Sequence, residues 1–539
     1  MIPKPPAGFR GTFRSDDEAR AVYSEAAGIG RIIPRAVAVP ADADDLSTLV
    51  QWASSEGVPL IPRGSGSSMG GGAIGDGLVV DVSRLKQLED PDVPGRAIRA
   101  ETGVVRAEIE RAARAGGLRF AVDPSSGAFC TIGGMAATNA AGPHSLRYGS
   151  IRPWVLALDC VFADGSRGTV RRGAPPSQEI AALRRFSQRV QPELLAPLPA
   201  SHPAVLKDSS GYAVGAYRRS HELVDLLIGS EGTLAVFTAV EVALIPRAGA
   251  TASVLVAFAD LERAVEAAVG SRQAGAAACE LLDRTFITIA ARAGKPFPVS
   301  ADTEAVLLVE VEGDTTAGAL DAANKLRVLF AGMRASQVNV AIGETEESVL
   351  WMLRHAASPA IARFDASFRS MQFIEDCAVP PAGLARYVRG VREILERHDT
   401  PGVIFGHAGD AHVHVNPLVD TRRAGWRDRV EAILVEVTDL VASLDGTITG
   451  EHGDGRLRTP LLDRVWSDAE RRAFVAIKDA FDPKRILNPG VKVPLDGQRA
   501  IEMVKYDPSL ASLPPRAADA LAAVEQERAY ARHRLDFLR

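Results

Sequence analysis

The stretch PRGSGSSMGGGAIGDG, Pro62 to Gly77, decides how the first half of this 539-residue chain is read. It follows the apolar run VPLIP and leads straight into LVVDV. So many glycines between two buried strands require a backbone that turns with positive φ and approaches something closely. The usual target is a diphosphate, cradled by a nest of backbone N–H groups. A Rossmann fingerprint would open a helix here, whereas this loop enters a strand. A Walker A loop needs Gly-Lys-Ser/Thr, which is absent. A flexible linker would not be framed by buried strands.

Two further clusters share this character. VDPSSGAFCTIGGMAATNAAGPHSLRYG, Val122 to Gly149, is rich in small residues and offers Ser125, Ser126, Thr131, Thr138 and Asn139 as hydrogen-bonding groups. Few bulky side chains over such a length suit an extended cofactor lying along the backbone. The third cluster is IGSEGTLAVFT, residues 228–238.

The second half carries different chemistry. FGHAGDAHVHVNP, Phe405 to Pro417, holds three of the ten histidines, and TITGEHGDG, Thr447 to Gly455, places Glu451 and His452 between glycines. A strand puts residues i and i+2 on one face, so His412 and His414 point the same way. Two imidazoles and a carboxylate suit a divalent transition metal with positions left open for substrate. A lone histidine is more often a core or surface residue. Three within eight positions, with Glu-His in a glycine frame nearby, favour function.

Outside these segments the chain is ordinary. Apolar residues make up 46%, charged residues 24%, and the net charge is −5. Two or three domains with real cores are expected, and neither nucleic acid nor an anionic membrane is implied as partner. No run of about eighteen apolar residues predicts a transmembrane helix. The four cysteines (Cys130, Cys160, Cys279, Cys377) are scattered without a CxxC pair. That fits a reducing cytoplasm and supplies no iron–sulfur cluster; a peripheral membrane location stays open.

The pattern divides the chain into an arm (1–30) read as mobile, a first domain (31–248), a second domain (249–495) and a helical tail (496–539). In the first domain, Val37–Val39 reads as a strand and Asp42–Glu56 as a helix. Its proline-containing stretch 172–205 reads as an insertion or lid. After Thr251, strands such as SVLVAFAD, VLLVEVEG and MQFIEDCAV alternate with amphipathic helices. That rhythm indicates an α/β or α+β sheet covered on one face. The tail has sparse apolar positions and reads as an appendage or an interface, for instance of a homodimer.

Taken together, the glycine clusters resemble the FAD-binding half of the vanillyl-alcohol oxidase / para-cresol methylhydroxylase superfamily. The nearest branch is that of the glycolate oxidase flavoprotein subunit, D-lactate dehydrogenase and D-2-hydroxyglutarate dehydrogenase. The resemblance runs in order over roughly residues 30–495. It implies an α+β fold: a bipartite FAD-binding domain of the para-cresol methylhydroxylase type, then an α+β substrate domain with a helix-covered sheet. It implies that Arg63, Gly64, Ser65, Gly66, Ser67 and Ser68 meet the FAD diphosphate. Pro124, Ser125, Ser126, Thr131, Gly133, Gly134, Thr138 and Asn139 would line the dinucleotide and isoalloxazine. Glu231 and Gly232 would meet the adenine end, and Asn488 in ILNPG would stand near the flavin. The family pattern differs at Ser68, Gly70 and Met135. Relatives with covalent flavin carry a histidine where this chain has Ser67, so the FAD is expected to be non-covalent.

The pattern GHxGDxxxHxN followed by GEHG resembles the metal-dependent D-2-hydroxy acid dehydrogenases. It implies His407, His414 and Glu451 as ligands of Zn, Mn or Fe, and His452 as general base. The family usually has Asn at the position of His412, which weighs against a role there. Arg354 stands where relatives have an arginine that meets the substrate carboxylate; Arg369 stands near a basic position of some relatives, with a solvated surface arginine the plain alternative. The implied reaction oxidises a small 2-hydroxy acid by hydride transfer to flavin N5. Electrons would pass to a separate iron–sulfur protein, electron-transfer flavoprotein or quinone; direct use of O₂ is the oxidase version. The competing reading from another class is a transferase like alkyl-dihydroxyacetone-phosphate synthase, which uses FAD without net redox change.

Overall fold

Strands Ala36–Val39, Leu78–Asp81 and Leu60–Arg63 run parallel, in that order across a four-stranded sheet. They are apolar on both faces, as parallel strands covered on both sides must be. Helix Ala43–Glu56 joins the first two in sequence. Asp42 caps its start by accepting from Asp45 N–H, and Gly57 at φ 67° ends it. The computed structural model describes residues 4–196, 202, 204–292, 294, 297–343, 345–352, 354 and 367–539.

The expected mobile arm is instead part of this sheet. Thr12–Arg14 pairs antiparallel with the Ala36–Val39 strand. The Asp45 carboxylate accepts backbone N–H bonds from Arg10, Gly11 and Ala41 at 2.8–2.9 Å, pinning the segment. Helix Asp17–Val22 then buries Ala19, Ala21 and Val22. The arm's apolar residues are few, but Phe9 and Phe13 pack partly buried against the core and Tyr23 is fully buried.

A second, antiparallel sheet runs in the order Ala97–Glu101, Val236–Ala243, Val155–Val161, Arg167–Arg171. As far as it is described, the stretch 172–205, read as an insertion or lid, packs into the core of the first half. Leu183, Phe186, Val190 and Leu194 recur at helical spacing and are all buried. Phe186 lies 5.5 Å from both Tyr217 and Phe481, centroid to centroid. Phe481 belongs to helix Asp468–Phe481, which also brings Phe474 and Ile477 into this core. The chain therefore returns to the core of the first half near its end.

The third sheet has seven strands, ordered Gln337–Ile342, Ala250–Phe258, Ala305–Gly313, Ala278–Asp283, Gly402–Gly406, His414–Val419, Arg369–Ser370. Helices Leu261–Gln273, Thr316–Gly332, Leu384–Arg397 and Trp426–Ala442 cover one face through a core that includes Val254, Val256, Leu307 and Val309. The alternate residues Leu255, Val306 and Leu308 face the other way. There helix Arg284–Arg292 buries Phe286 and Ile289. The expected single covered face is thus partly doubled, as the continuous apolar run AVLLVEV requires. MQFIEDCAV, read as a strand, is a loop outside a single bridge residue, Ala378. A strand would send Glu375 and Asp376 to opposite faces, and here both buried carboxylates serve the same histidine cluster. Among the described residues no helix is long and apolar enough to cross a membrane.

Phe186→Ala is expected to cost about 3–5 kcal/mol, as for other buried aromatics, and to lower the denaturant midpoint accordingly. A residue in a lid would leave that midpoint in place.

Candidate active site

A cavity of about 1040 Å³ separates the glycine-rich loops from the histidine segments. Its first wall is the run Arg63–Met69. Pro124, Ser125, Ser126, Thr131, Gly133, Gly134 and Thr138 line the next, and Glu231 and Gly232 the third. The far end is formed by Arg354, His414, Glu451 and His452, with Arg369 also in the lining. Two expected cofactor residues stand outside this lining. Asn139 (φ 56°) donates to Ser209 Oγ at 3.2 Å. Asn488 donates to the carbonyls of Gly72 and Glu231 at 2.9 and 2.7 Å. Both staple loops together behind the cavity wall.

Arg63 is a scaffold residue as well. Its guanidinium is buried and donates to the Glu25 carbonyl at 2.9 Å and to that of Ala73 at 3.3 Å. Gly66, at φ 71°, passes so close that a Cβ would lie 2.3 Å from Arg63 Nη2. The glycine is required there twice, by conformation and by space. Glu231 lines the cavity, yet its carboxylate accepts from Asp454 N at 2.8 Å and from Gly455 N, and pairs with Lys492 at 3.1 Å. It ties the third glycine turn to the GEHGDG segment.

At the histidine end, His407, His412, His414 and Glu451 each bring a donor atom within 4.8 Å of the others. Glu451 Oε1 lies 3.1 Å from His407 Nε2 and 3.6 Å from His414 Nε2. The other nitrogens are engaged: His414 Nδ1 donates to the Glu375 carbonyl at 2.8 Å, and His407 Nδ1 meets the Glu280 carboxylate. Such outer partners fix ring orientation and aim the remaining nitrogens at a common point. This donor set fits a divalent transition metal. His412 is spent differently, between Asp376 at 3.0 Å and Lys207 Nζ at 3.3 Å.

His452 stacks on His414, 5.3 Å apart and 6° from parallel. Its Nδ1 bonds Glu375 Oε1 at 2.9 Å, and Arg458 holds the other oxygen of that carboxylate. Burial opposes charge on His452, but Asp376 and Glu375 outweigh it and push the imidazole up to about 9. For His407, burial is likewise outweighed by Glu280 and Glu451, again to about 9. His414 falls well below the usual range, through burial and the neighbouring histidines.

Sequence reading missed Glu280, Lys207, Glu375, Asp376 and Arg458. Glu280 bridges His407 and Arg354, whose Nε donates to Oε2 at 2.7 Å. Lys207 Nζ lies 2.8 Å from Glu451 Oε2. One signal was available: Glu280 is a carboxylate in mid-strand in ACELLD, which is buried at every position, whereas the terminal Asp283 accepts backbone N–H bonds from Phe286 and Ile404. Arg369 is exposed and lies beside the Tyr506 ring, 5.9 Å from its centroid.

Comparison with known proteins places the chain in a family. Residues 34–171 match the model of an FAD binding domain, and residues 247–491 that of the FAD linked oxidases, C-terminal domain. Glycolate oxidase subunit GlcD of Bacillus subtilis is 30% identical over 495 residues, covering 91% of this chain and 95% of that one. D-lactate dehydrogenase of Archaeoglobus fulgidus is 29% identical, covering 85% and 92%. D-2-hydroxyglutarate dehydrogenase of Pseudomonas putida is 27% identical, covering 90% of this chain and 50% of that one. Among solved structures, 4-ethylphenol oxidase from Gulosibacter chungangensis shares the fold (TM-score 0.65, 15% identity, coverage 90% and 95%). So does alkyldihydroxyacetonephosphate synthase (TM-score 0.62, 17% identity, coverage 88% and 83%). The chain belongs to the FAD-linked oxidases of the vanillyl-alcohol oxidase / para-cresol methylhydroxylase superfamily, in the branch of glycolate oxidase subunit GlcD, D-lactate dehydrogenase and D-2-hydroxyglutarate dehydrogenase.

Proposed function

We propose that this protein oxidises a small D-2-hydroxy acid, of the D-lactate, glycolate or D-2-hydroxyglutarate class, to the 2-oxo acid and passes the electrons to a separate carrier. The observation that carries this reading is His452. It stands in the cavity wall beside three convergent donors, with Nδ1 held by Glu375. When bound, non-covalent FAD supplies a hydride acceptor, and a divalent ion held by His407, His414 and Glu451 supplies a Lewis acid.

The protein's own part is positional and acid–base. Arg354 brings a guanidinium to the cavity wall beside the histidines, suited to a substrate carboxylate. Its Nε bond to Glu280 fixes it relative to His407. With Nδ1 engaged, His452 takes the hydroxyl proton at Nε2. Arg369, exposed yet part of the lining, is suited to receive an anionic substrate.

The deciding experiment is anaerobic bleaching of the flavin by a panel of D- and L-2-hydroxy acids, before and after chelator. Bleaching by a D-acid that is lost with chelator and restored by metal is expected. A flavin that no hydroxy acid bleaches would favour the transferase reading. His452→Ala should keep FAD and metal but slow flavin reduction by about 10²–10⁴-fold; unchanged reduction refutes its role. Glu451→Gln should lose the metal by elemental analysis, and Glu280→Gln should weaken metal affinity about 10–100-fold. His452 must be neutral to accept a proton, so reduction rises with pH. Glu375→Gln removes an anion that favours the charged ring, and the pH of half-maximal reduction is expected to fall.

A further inference from the structure

The tail, residues 496–539, lies beyond both matched family segments, yet it reaches the cofactor cavity. It joins the first half by backbone bonds: Arg31 N–H donates to the Met503 carbonyl and Lys505 N–H to that of Ile29, at 2.9 and 2.8 Å. Helix Pro515–Glu527 then buries Ala517, Ala520 and Val524. Arg528, at φ 54°, reverses the chain and brings Arg528 and Tyr530 into the cavity wall. The Tyr530 ring lies 5.2 Å from that of Phe129, and the Arg528 guanidinium 5.1 Å from the same ring. Phe129 belongs to the second glycine cluster, so the tail closes directly onto a cofactor loop.

Beside Tyr530 lies an unusual charge. Arg534 is 4% exposed, with its guanidinium 5.2 Å from the Tyr530 ring centroid. Among the described residues, its Nε and Nη1 have no hydrogen-bond partner, and neither has Nε of the buried Arg63. Burial and repulsion from Arg63 hold Arg534 down at about 10. The carboxylate in this cluster is Asp81, which accepts from Tyr23 and stands 3.3 Å from His533 Nε2. Glu25 also favours the charge on Arg63 but is itself paired with Arg31 at 2.6 Å, so among the described residues two buried guanidiniums share Asp81, which leaves positive charge uncompensated, an arrangement that calls for an anion. Arg63 opens the loop suited to a diphosphate, which carries that charge.

We propose that the turn 528–534 is a cofactor clasp: Tyr530 and Phe129 close the cavity over bound FAD, and Arg534 acts with Arg63 to balance the charge of its diphosphate. The clasp rests on the FAD reading. Arg534 acts through its field and through Tyr530, as a positioning residue. The site thereby gains cofactor-retaining residues far outside the glycine motifs.

The test is the rate at which the holoenzyme releases FAD on dilution, followed by flavin fluorescence, with melting of each apoprotein as the folding control. Arg534→Ala is expected to release FAD about tenfold faster or more, with Arg534→Lys restoring most of the retention through charge alone. Tyr530→Ala should also release faster while its apoprotein melts near the parent value. Parent-like release from both Arg534→Ala and Tyr530→Ala overturns the clasp. So does an Arg534→Lys that releases as fast as Arg534→Ala while both apoproteins melt early, because the residue then only packs. If Arg534→Ala does not fold, the Tyr530→Ala rate decides alone. A parent chain that takes up no FAD removes the cofactor reading, and the clasp with it.

Discussion

Gly70 and Gly455 meet backbone to backbone: a Cβ on Gly455 would stand 1.8 Å from the Gly70 carbonyl oxygen. Leu457 N–H donates to that same oxygen at 3.1 Å. The loop suited to the diphosphate and the segment carrying Glu451 and His452 are therefore in direct contact, although some 385 residues apart in sequence. Glu231 fastens the contact from below through Asp454, Gly455 and Lys492. Any side chain at these glycines would push the segment carrying His452 away from the glycine-rich wall of the cavity. The distance between the two segments is set by the absence of side chains and held by these hydrogen bonds.

The second dependence is on buried carboxylates. Glu280, Glu375 and Asp376 are each 2% exposed or less, and each one faces a histidine of the site. Burying an anion is costly unless it is paired and hydrogen-bonded. Arg354 and Arg458 pair with Glu280 and Glu375, and Thr449 donates to Asp376. The same groups orient the imidazoles, so the elements that satisfy the carboxylates also fix the site. Lys207 does this for Glu451, taking one oxygen and leaving the other toward the histidines.

These two dependences explain what the sequence made legible. The glycine loops and the histidine segments are local signals: each carries its chemistry within a dozen residues, and the structure brings them to one cavity. Glu280 and Lys207 arrive from a distant strand and a distant loop, and neither has a motif around it. FIEDCAV failed as a strand because its two adjacent carboxylates serve one side. In the 172–205 stretch, prolines and charges surround a regular apolar stripe, Leu183 to Leu194, that packs into the core of the first half. Asn139 and Asn488 sit in the expected motifs but bind loops rather than line the cavity.

Charge balance around the histidines links the scaffold to the chemistry. Five buried carboxylates (Glu280, Glu375, Asp376, Asp410 and Glu451) face three permanent cations, Lys207, Arg354 and Arg458. The deficit is two positive charges. His407 and His452, both pushed up to about 9, supply them as imidazolium, while His412 and His414 are held down and neutral. A divalent cation brings the same two charges. Its binding would release a proton from His407, freeing Nε2 as a ligand, and would weaken the field that keeps His452 charged. Two buried negative charges in excess of the permanent cations therefore suit the cluster to a divalent cation, as the proposed function requires.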